Sequence, residues 1–319
     1  MRHLWKTMGL LLLAALLLGG CGRREQEQPA EVPAAGTADV EEPPEAAPAP
    51  EPDPAPEPEP DPRETAVEAL LAGMSLEEKA GQLFFMKLPD VEAEEKVRDL
   101  HVCGVLLFTK DFKDAAGEWL SREAFEEKIQ ALQAAAGTPL LVGVDEEGGT
   151  VARASRNPNL FEKKFRSPRE VYLEFEGGDG IRADAIEKIT GRLSYGINVN
   201  FAPVADVSTD PAAIIYARTY GLDAEQTAFF VGQTVEEMTR LKTGSVLKHF
   251  PGYGSNADTH TGIAVDERPY EQFQAEDFLP FRAGIQAGAG SVLVSHNIVN
   301  CMDPDLPASL SPEVHRILR

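Results

Sequence analysis

Cysteine, tryptophan and histidine are scarce: three, two and six residues respectively in a chain of 319. Cysteines at positions 21, 103 and 301 cannot build a disulfide framework, and no Cys-x-x-Cys or His-x-x-x-His pair offers zinc-type spacing. Cations are in deficit as well. Thirty Lys and Arg stand against 52 Asp and Glu, a formal charge of −22. Phosphate neutralisation needs clustered Lys and Arg, so a nucleic-acid partner is not expected. Electrostatic adhesion to anionic lipid is disfavoured for the same reason. Long apolar runs are missing too. The run Gly9 to Leu18 is about half of the roughly 20 residues that a bilayer-spanning helix needs. No Gly-x-Gly-x-x-Gly or P-loop follows the first strand pattern, which lowers a nucleotide-binding reading.

What is present at the start is a different signal. Arg2 and Lys6 precede the apolar run, and Leu18-Gly19-Gly20-Cys21 then resembles a bacterial lipobox. Residues 1–21 are therefore expected to be a lipoprotein signal peptide. Cys21 would be acylated and become the mature N-terminus of an exported, lipid-anchored, extracytoplasmic protein, the acyl chain being its membrane link. Residues 22–62 are dense in Pro, Glu, Asp and Ala. Such a tract buries too little apolar surface to offset its ordering entropy. Proline and like charge make it a stiff, solvated, disordered linker. Much of the net charge sits there. Cys103 and Cys301 remain. A disulfide between them is possible after export, but in apolar-rich segments so far apart they are expected as buried free thiols.

From about Arg63 the pattern changes. Ser75 and Glu78 form a capping box that predicts a helix from Leu76. Short apolar runs predict strands at Gln82–Met86, Gly104–Phe108, Leu140–Asp145, Val199–Ala202, Val246–Phe250 and Ser291–His296. Helical stretches fall between them at Arg122–Ala136, Arg182–Tyr195, Ala224–Leu241 and Phe278–Ala287. Buried strands alternating with helices make an α/β fold with a parallel sheet. Polar residues at the ends of several strands (Asp145, Asp206, Lys248, His249 and His296) choose between its two forms. An open sheet gathers its site at one switch point, whereas a (β/α)8 TIM-type barrel gathers it from many strand ends. The expected domain is therefore such a barrel over residues 63–319. About six βα units are present, so it is incomplete at the C-terminus.

The segment richest in chemistry is Lys248-His249-Phe250-Pro251-Gly252-Tyr253-Gly254, followed by Asp258-Thr259-His260. In extended chain, residues i and i+2 project to one side. A carboxylate beside an imidazole fixes its tautomer and favours its charged form, which suits a general acid near neutral pH. A lone Asp-x-His is more often a loop in which the histidine caps a nearby carbonyl. Here the whole run resembles the Lys-His-Phe-Pro-Gly-His-Gly and Asp-Ser-His signature of glycoside hydrolase family 3, in its β-N-acetylhexosaminidase branch. Four other segments resemble that family in order: Met74–Phe84, Val144-Asp145-Glu146-Glu147-Gly148-Gly149, Gly196–Val207 and Arg218-Thr219-Tyr220-Gly221.

The resemblance implies roles. His260 would be the acid/base, with Asp258 orienting and charging it. Asp145, Arg153, Arg218, Lys248 and His249 would bind the sugar. Glu146, Glu147 and Asp206 are read as structural. No metal or organic cofactor is implied, and the partner is a carbohydrate, an N-acetylglucosamine-containing oligosaccharide or peptidoglycan fragment. Thr150, Glu146 and Tyr253 depart from the arginine, glutamine and histidine common in the family, and the loop before Asp258 is one residue shorter. The family's retaining mechanism uses an aspartate in a Ser-Asp-Asp-like stretch. None occurs here, so the nucleophile is expected beyond residue 319 and the chain is expected to be a truncated form. Two alternatives stand beside this reading: a family 3 β-glucosidase or β-xylosidase, and a lipoprotein that binds wall glycans without hydrolysing them.

Overall fold

The computed structural model describes residues 61–175, 178–254, 256 and 262–319. The expected signal peptide, Cys21 and almost all of the expected linker lie outside the described residues, as do Asp258 and His260. The described unit opens on helix α1 (Pro62–Gly73), where Asp61 caps the Arg63 amide and Pro62 sits where its missing N–H costs nothing. Helix α2 (Leu76–Gly81) carries the full capping box: the Glu78 amide donates to Ser75 Oγ, and the Ser75 amide donates to Glu78 Oε2.

Strand and helix then alternate. Strand β1 (Phe85–Lys87) leads to α3 (Ala93–Leu100), β2 (Gly104–Leu107) to α4 (Arg122–Ala135), and β3 (Leu141–Val144) to α5 (Pro168–Phe175) and α6 (Gly178–Leu193). Strand β4 (Val199–Asn200) precedes α7 (Ala224–Arg240), and β5 (Gly244–Phe250) precedes a short strand β6 (Val265–Asp266) and helix α8 (Tyr270–Gln272). A π-helical turn, Phe273–Asp277, runs on into α9 (Phe278–Gln286). Strands β7 (Ser291–Val294) and β8 (Ile298–Val299) and helix α10 (Pro312–Leu318) follow. Six strands pair in parallel in the order β1-β2-β3-β4-β5-β7. The order follows the chain without the reversal that marks a switch point, which is the barrel habit and not the open-sheet one. Strands β6 and β8 form a separate parallel pair that periodicity did not anticipate.

The helices cover the sheet with apolar faces. Phe125, Ile129 and Leu132 of α4 pack on Val105, Leu107, Val142 and Val144 of β2 and β3. Val231 and Val235 of α7 and Phe281 of α9 pack with Leu247 and Phe250 of β5. Two strands differ from expectation. Gln82–Phe84 continue the α2 turn, their amides donating to Glu78, Ala80 and Gly81 carbonyls, so β1 begins only at Phe85. Strand β4 proper stops at Asn200; the Phe201 amide still donates to the Val144 carbonyl and the Ala202 carbonyl still accepts from Val246, and Pro203 then has no N–H to carry the ladder on. Both remaining cysteines are free, but Cys301 is exposed, not buried, and Cys103 is half-buried. In the turn after β8, Met302 takes the inward position that Cys301 was expected to fill. Among the described residues no helix is long and apolar enough to cross a membrane.

Candidate active site

Parallel strands bring their C-terminal ends to one rim. Asp145 follows β3, Lys248 and His249 close β5, and His296 follows β7. The register between β5 and β7 shifts between Lys248 and Phe250, and such an irregularity re-aims side chains at a rim. The 3-10 turn Tyr216–Arg218 supplies Arg218, and the loop after β3 supplies Arg153. These residues, with Glu147, Phe108, Tyr253 and Ile214, line a cavity of about 540 Å³. A second cavity, behind Glu146 and Glu147 and beside Arg192, is about 40 Å³ and holds nothing larger than water.

Lys248 is the hub. It is 2% exposed, and its Nζ donates to Asp145 Oδ1 at 2.7 Å and lies 2.6 Å from Glu147 Oε1. Arg218 grips the same Glu147 with a fork, Nε to Oε2 at 2.9 Å and Nη2 to Oε1 at 2.7 Å. Burial alone would raise the Glu147 carboxyl, but Lys248 and Arg218 win and hold it down at about 2. Glu147 is thus a fixed anion that holds two cations at the cavity wall.

His249 is held from behind. Its Nδ1 lies 2.7 Å from Asp206 Oδ2, and its Nε2 lies 3.3 Å from Arg218 Nη2. Arginine can only donate, so Nε2 accepts and Nδ1 carries the proton toward Asp206. Asp206, fully buried, also accepts from the His249 amide at 3.2 Å and, through Oδ1, from the Tyr253 amide at 2.7 Å. One carboxylate therefore fixes the imidazole and the start of the following turn.

Arg153 stands opposite. Its guanidinium lies 5.7 Å from the Phe108 ring centroid, and its buried Nε has no hydrogen-bond partner among the described residues. Its backbone is clamped by Glu146, whose Oε2 accepts from the amides of Arg153, Ala154 and Ser155 at 3.0, 2.7 and 3.2 Å. Gly148 makes the turn between them possible. It adopts φ of 91°, and a Cβ there would lie 1.9 Å from the Arg166 carbonyl oxygen.

Of the sequence-derived site residues, the fold brings Asp145, Arg153, Arg218, Lys248 and His249 to one cavity. Asp258 and His260 lie outside the described residues. Glu146 is structural, as read. Glu147 and Asp206 were set aside as structural, yet Glu147 lines the cavity and Asp206 backs His249. Their signal was weak: a charge adjacent to another charge, and an acid just after an apolar segment.

Residues 75–319 match the glycosyl hydrolase family 3 N terminal domain. The chain belongs to glycoside hydrolase family 3. It is 34% identical over 226 residues to a beta-hexosaminidase of Xanthomonas oryzae pv. oryzae, an alignment covering 68% of this chain and 64% of that relative. The chain thus spans under two thirds of the length of that curated relative. Among solved structures of similar fold is M. tuberculosis LpqI, with a TM-score of 0.68, 28% identity, and coverage of 79% of this chain and 70% of that one. Another is the beta-N-acetylhexosaminidase of Beutenbergia cavernae, with a TM-score of 0.63, 29% identity, and coverage of 77% and 75%. For a family 3 chain, the rim of the parallel strands is where such a fold places its chemistry.

Proposed function

We propose that this protein is a glycosidase that releases terminal β-linked N-acetylhexosamine, in particular N-acetylglucosamine, by a retaining mechanism. The observation that carries the reading is the cavity wall itself. Asp145 and Glu147 are set against Lys248 and Arg218, with Arg153 lining the same cavity and Asp206 behind His249. A lining that carries both signs of charge, with fixed donors and acceptors, suits an uncharged ligand dense in hydroxyl and amide groups. Asp145 accepts from sugar hydroxyls, while Arg153, Arg218 and Lys248 donate to hydroxyl and acyl oxygens. Orienting the ring in this way makes the reaction effectively unimolecular.

In this reading His260, charged by Asp258, protonates the departing oxygen and then activates water. A retaining mechanism also takes a carboxylate nucleophile, which attacks the anomeric carbon to form the glycosyl-enzyme that this water then hydrolyses. The similar proteins named as beta-hexosaminidases support the substrate class. The test is release of p-nitrophenol by the gene product from the β-N-acetylglucosaminide and from the β-glucoside. Preference for the first is expected, with His260→Ala lowering kcat by about 10²–10⁴-fold. Preference for the glucoside would give the β-glucosidase reading. Binding of N-acetylglucosamine without turnover would give the wall-glycan binder.

The site would work outside the cytoplasm, on wall or chitin-like fragments, with the lipid on Cys21 holding the protein to the cell membrane. Cys21→Ser is expected to move the protein from the membrane pellet to the soluble fraction. Unchanged pelleting would remove the anchor.

A further inference from the structure

The stretch that holds Asp258 and His260 in sequence is preceded by the turn after β5 and followed by β6 and Arg268. Arg268 joins the two sides. Its Nε lies 3.0 and 3.1 Å from the two carboxylate oxygens of Asp266, and its Nη2 lies 2.8 Å from Asp266 Oδ2. Its Nη1 donates to Asp277 Oδ2 at 2.8 Å, and its Nη2 to the Gly252 carbonyl at 3.3 Å. The guanidinium also lies 4.3 Å from the ring centroid of Phe273, which opens the π-helical turn.

Asp266 extends the link. Its Oδ2 accepts from Asn256 Nδ2 at 2.7 Å, and the same amide nitrogen donates to the Tyr253 carbonyl at 2.9 Å. Asp277 closes it from below. Gly252 has φ of 133°, and a Cβ there would lie 2.1 Å from Asp277 Oδ1, so this carboxyl packs directly on the turn backbone. Burial pushes the Asp277 carboxyl up to about 7 even with Arg268 beside it. Burial would raise Asp266 too, but Arg268 and Asn256 hold it below its usual value. The far end of the link is the site, because the Tyr253 amide donates to Asp206, which holds His249.

We propose that Arg268 is a positioning residue: it ties Gly252 and Asn256 to Asp266 and Asp277, and so fixes the two chain positions that flank Asp258 and His260 in sequence. Arg268 does not line the large cavity, so it acts through these partners and not on the sugar. The proposal rests on the reading of His260 as the proton donor. Misplacement of such a group by about 1 Å costs on the order of 10²-fold in rate.

The test compares Arg268→Met and Arg268→Lys in the gene product. Arg268→Met is expected to lower kcat on p-nitrophenyl β-N-acetylglucosaminide by about 10²-fold with KM changed less than about threefold. Arg268→Lys should recover part of the loss, since lysine can hold one carboxylate but not fork between two. Hydrogen exchange at the Tyr253 amide should quicken in Arg268→Met, while amides of α4 and β2 keep their protection. Unchanged kcat, a loss confined to KM, or exchange quickened equally throughout the fold would overturn the proposal. If the unaltered protein shows no turnover, the glycosidase reading fails by itself. The exchange measurement then decides the tie alone, and an unchanged Tyr253 amide would refute it.

Discussion

Asp145→Ala is expected to lower kcat/KM for a β-N-acetylglucosaminide by about 10²–10⁴-fold while the protein stays folded. The carboxylate sits at the end of β3 with its side chain 17% exposed to the cavity. Two sugar hydroxyls donating to it would form charge-assisted hydrogen bonds of about 1.5–3 kcal/mol each. Together these amount to about 3–6 kcal/mol, and each 1.4 kcal/mol is a factor of ten. The fold tolerates the change because Lys248 keeps its second acid, Glu147, 2.6 Å away. No buried charge is left alone. Steady-state kinetics and thermal melts of the variant check both halves. A loss below about fivefold would remove Asp145 from substrate binding, and a collapse in melting temperature would make it structural.

Glu147→Ala should do the reverse and strike folding first. It strips one partner from Lys248 and the fork from Arg218, leaving cations in a wall where Lys248 is 2% exposed. Breaking a buried pair from one side costs about 3–5 kcal/mol. The effect carries a pH signature. The Glu147 carboxyl is held at about 2 in the folded protein, below its ordinary 4.5. Its contribution is therefore full above about 4.5 and is lost as pH falls through about 2. Urea midpoints of the two proteins should differ by a constant amount from pH 5 to pH 8 and converge toward pH 2. A difference under about 1 kcal/mol at pH 7, the scale of a surface pair, would show that Glu147 holds nothing.

Much of this site was legible in the sequence, and the reasons are specific. Strands buried on both faces leave unbroken apolar runs, so β2, β3 and β5 were found within a residue or two; β7 has the same kind of run and was found as closely, although its residues are exposed or half-buried, and the polar residues at the ends of these strands pointed to the rim. Asp145 and Arg153 after β3, Arg218 in a 3-10 turn, and Lys248 and His249 in β5 meet at one cavity. The order of Glu146 and Glu147 was not legible. Neighbouring side chains after a strand point to opposite sides. One acid turns back to cap the Arg153–Ser155 amides while the other meets Lys248, and nothing in the pair of letters says which. Asp206 escaped because its partner His249 is 43 positions away. The Arg268 link escaped for a different reason. Asp266 and Arg268 look like a surface pair in sequence, and only the π-helical turn brings Asp277 beneath them. Gln82–Phe84 misled in the other direction: they are apolar enough for a strand, but Leu83 and Phe84 are exposed and their amides finish a helix.

The proposed activity requires a sugar ring to bind at the rim of the parallel sheet, against Asp145 and Lys248. Crystals of the protein soaked in N-acetylglucosamine test it most directly. The expected result is a pyranose in the cavity of about 540 Å³, with a ring hydroxyl within hydrogen-bond reach of Asp145 and its acyl or hydroxyl oxygens facing Arg153, Arg218 or Lys248. A sugar seated elsewhere on the protein, with that cavity holding only solvent, would contradict it.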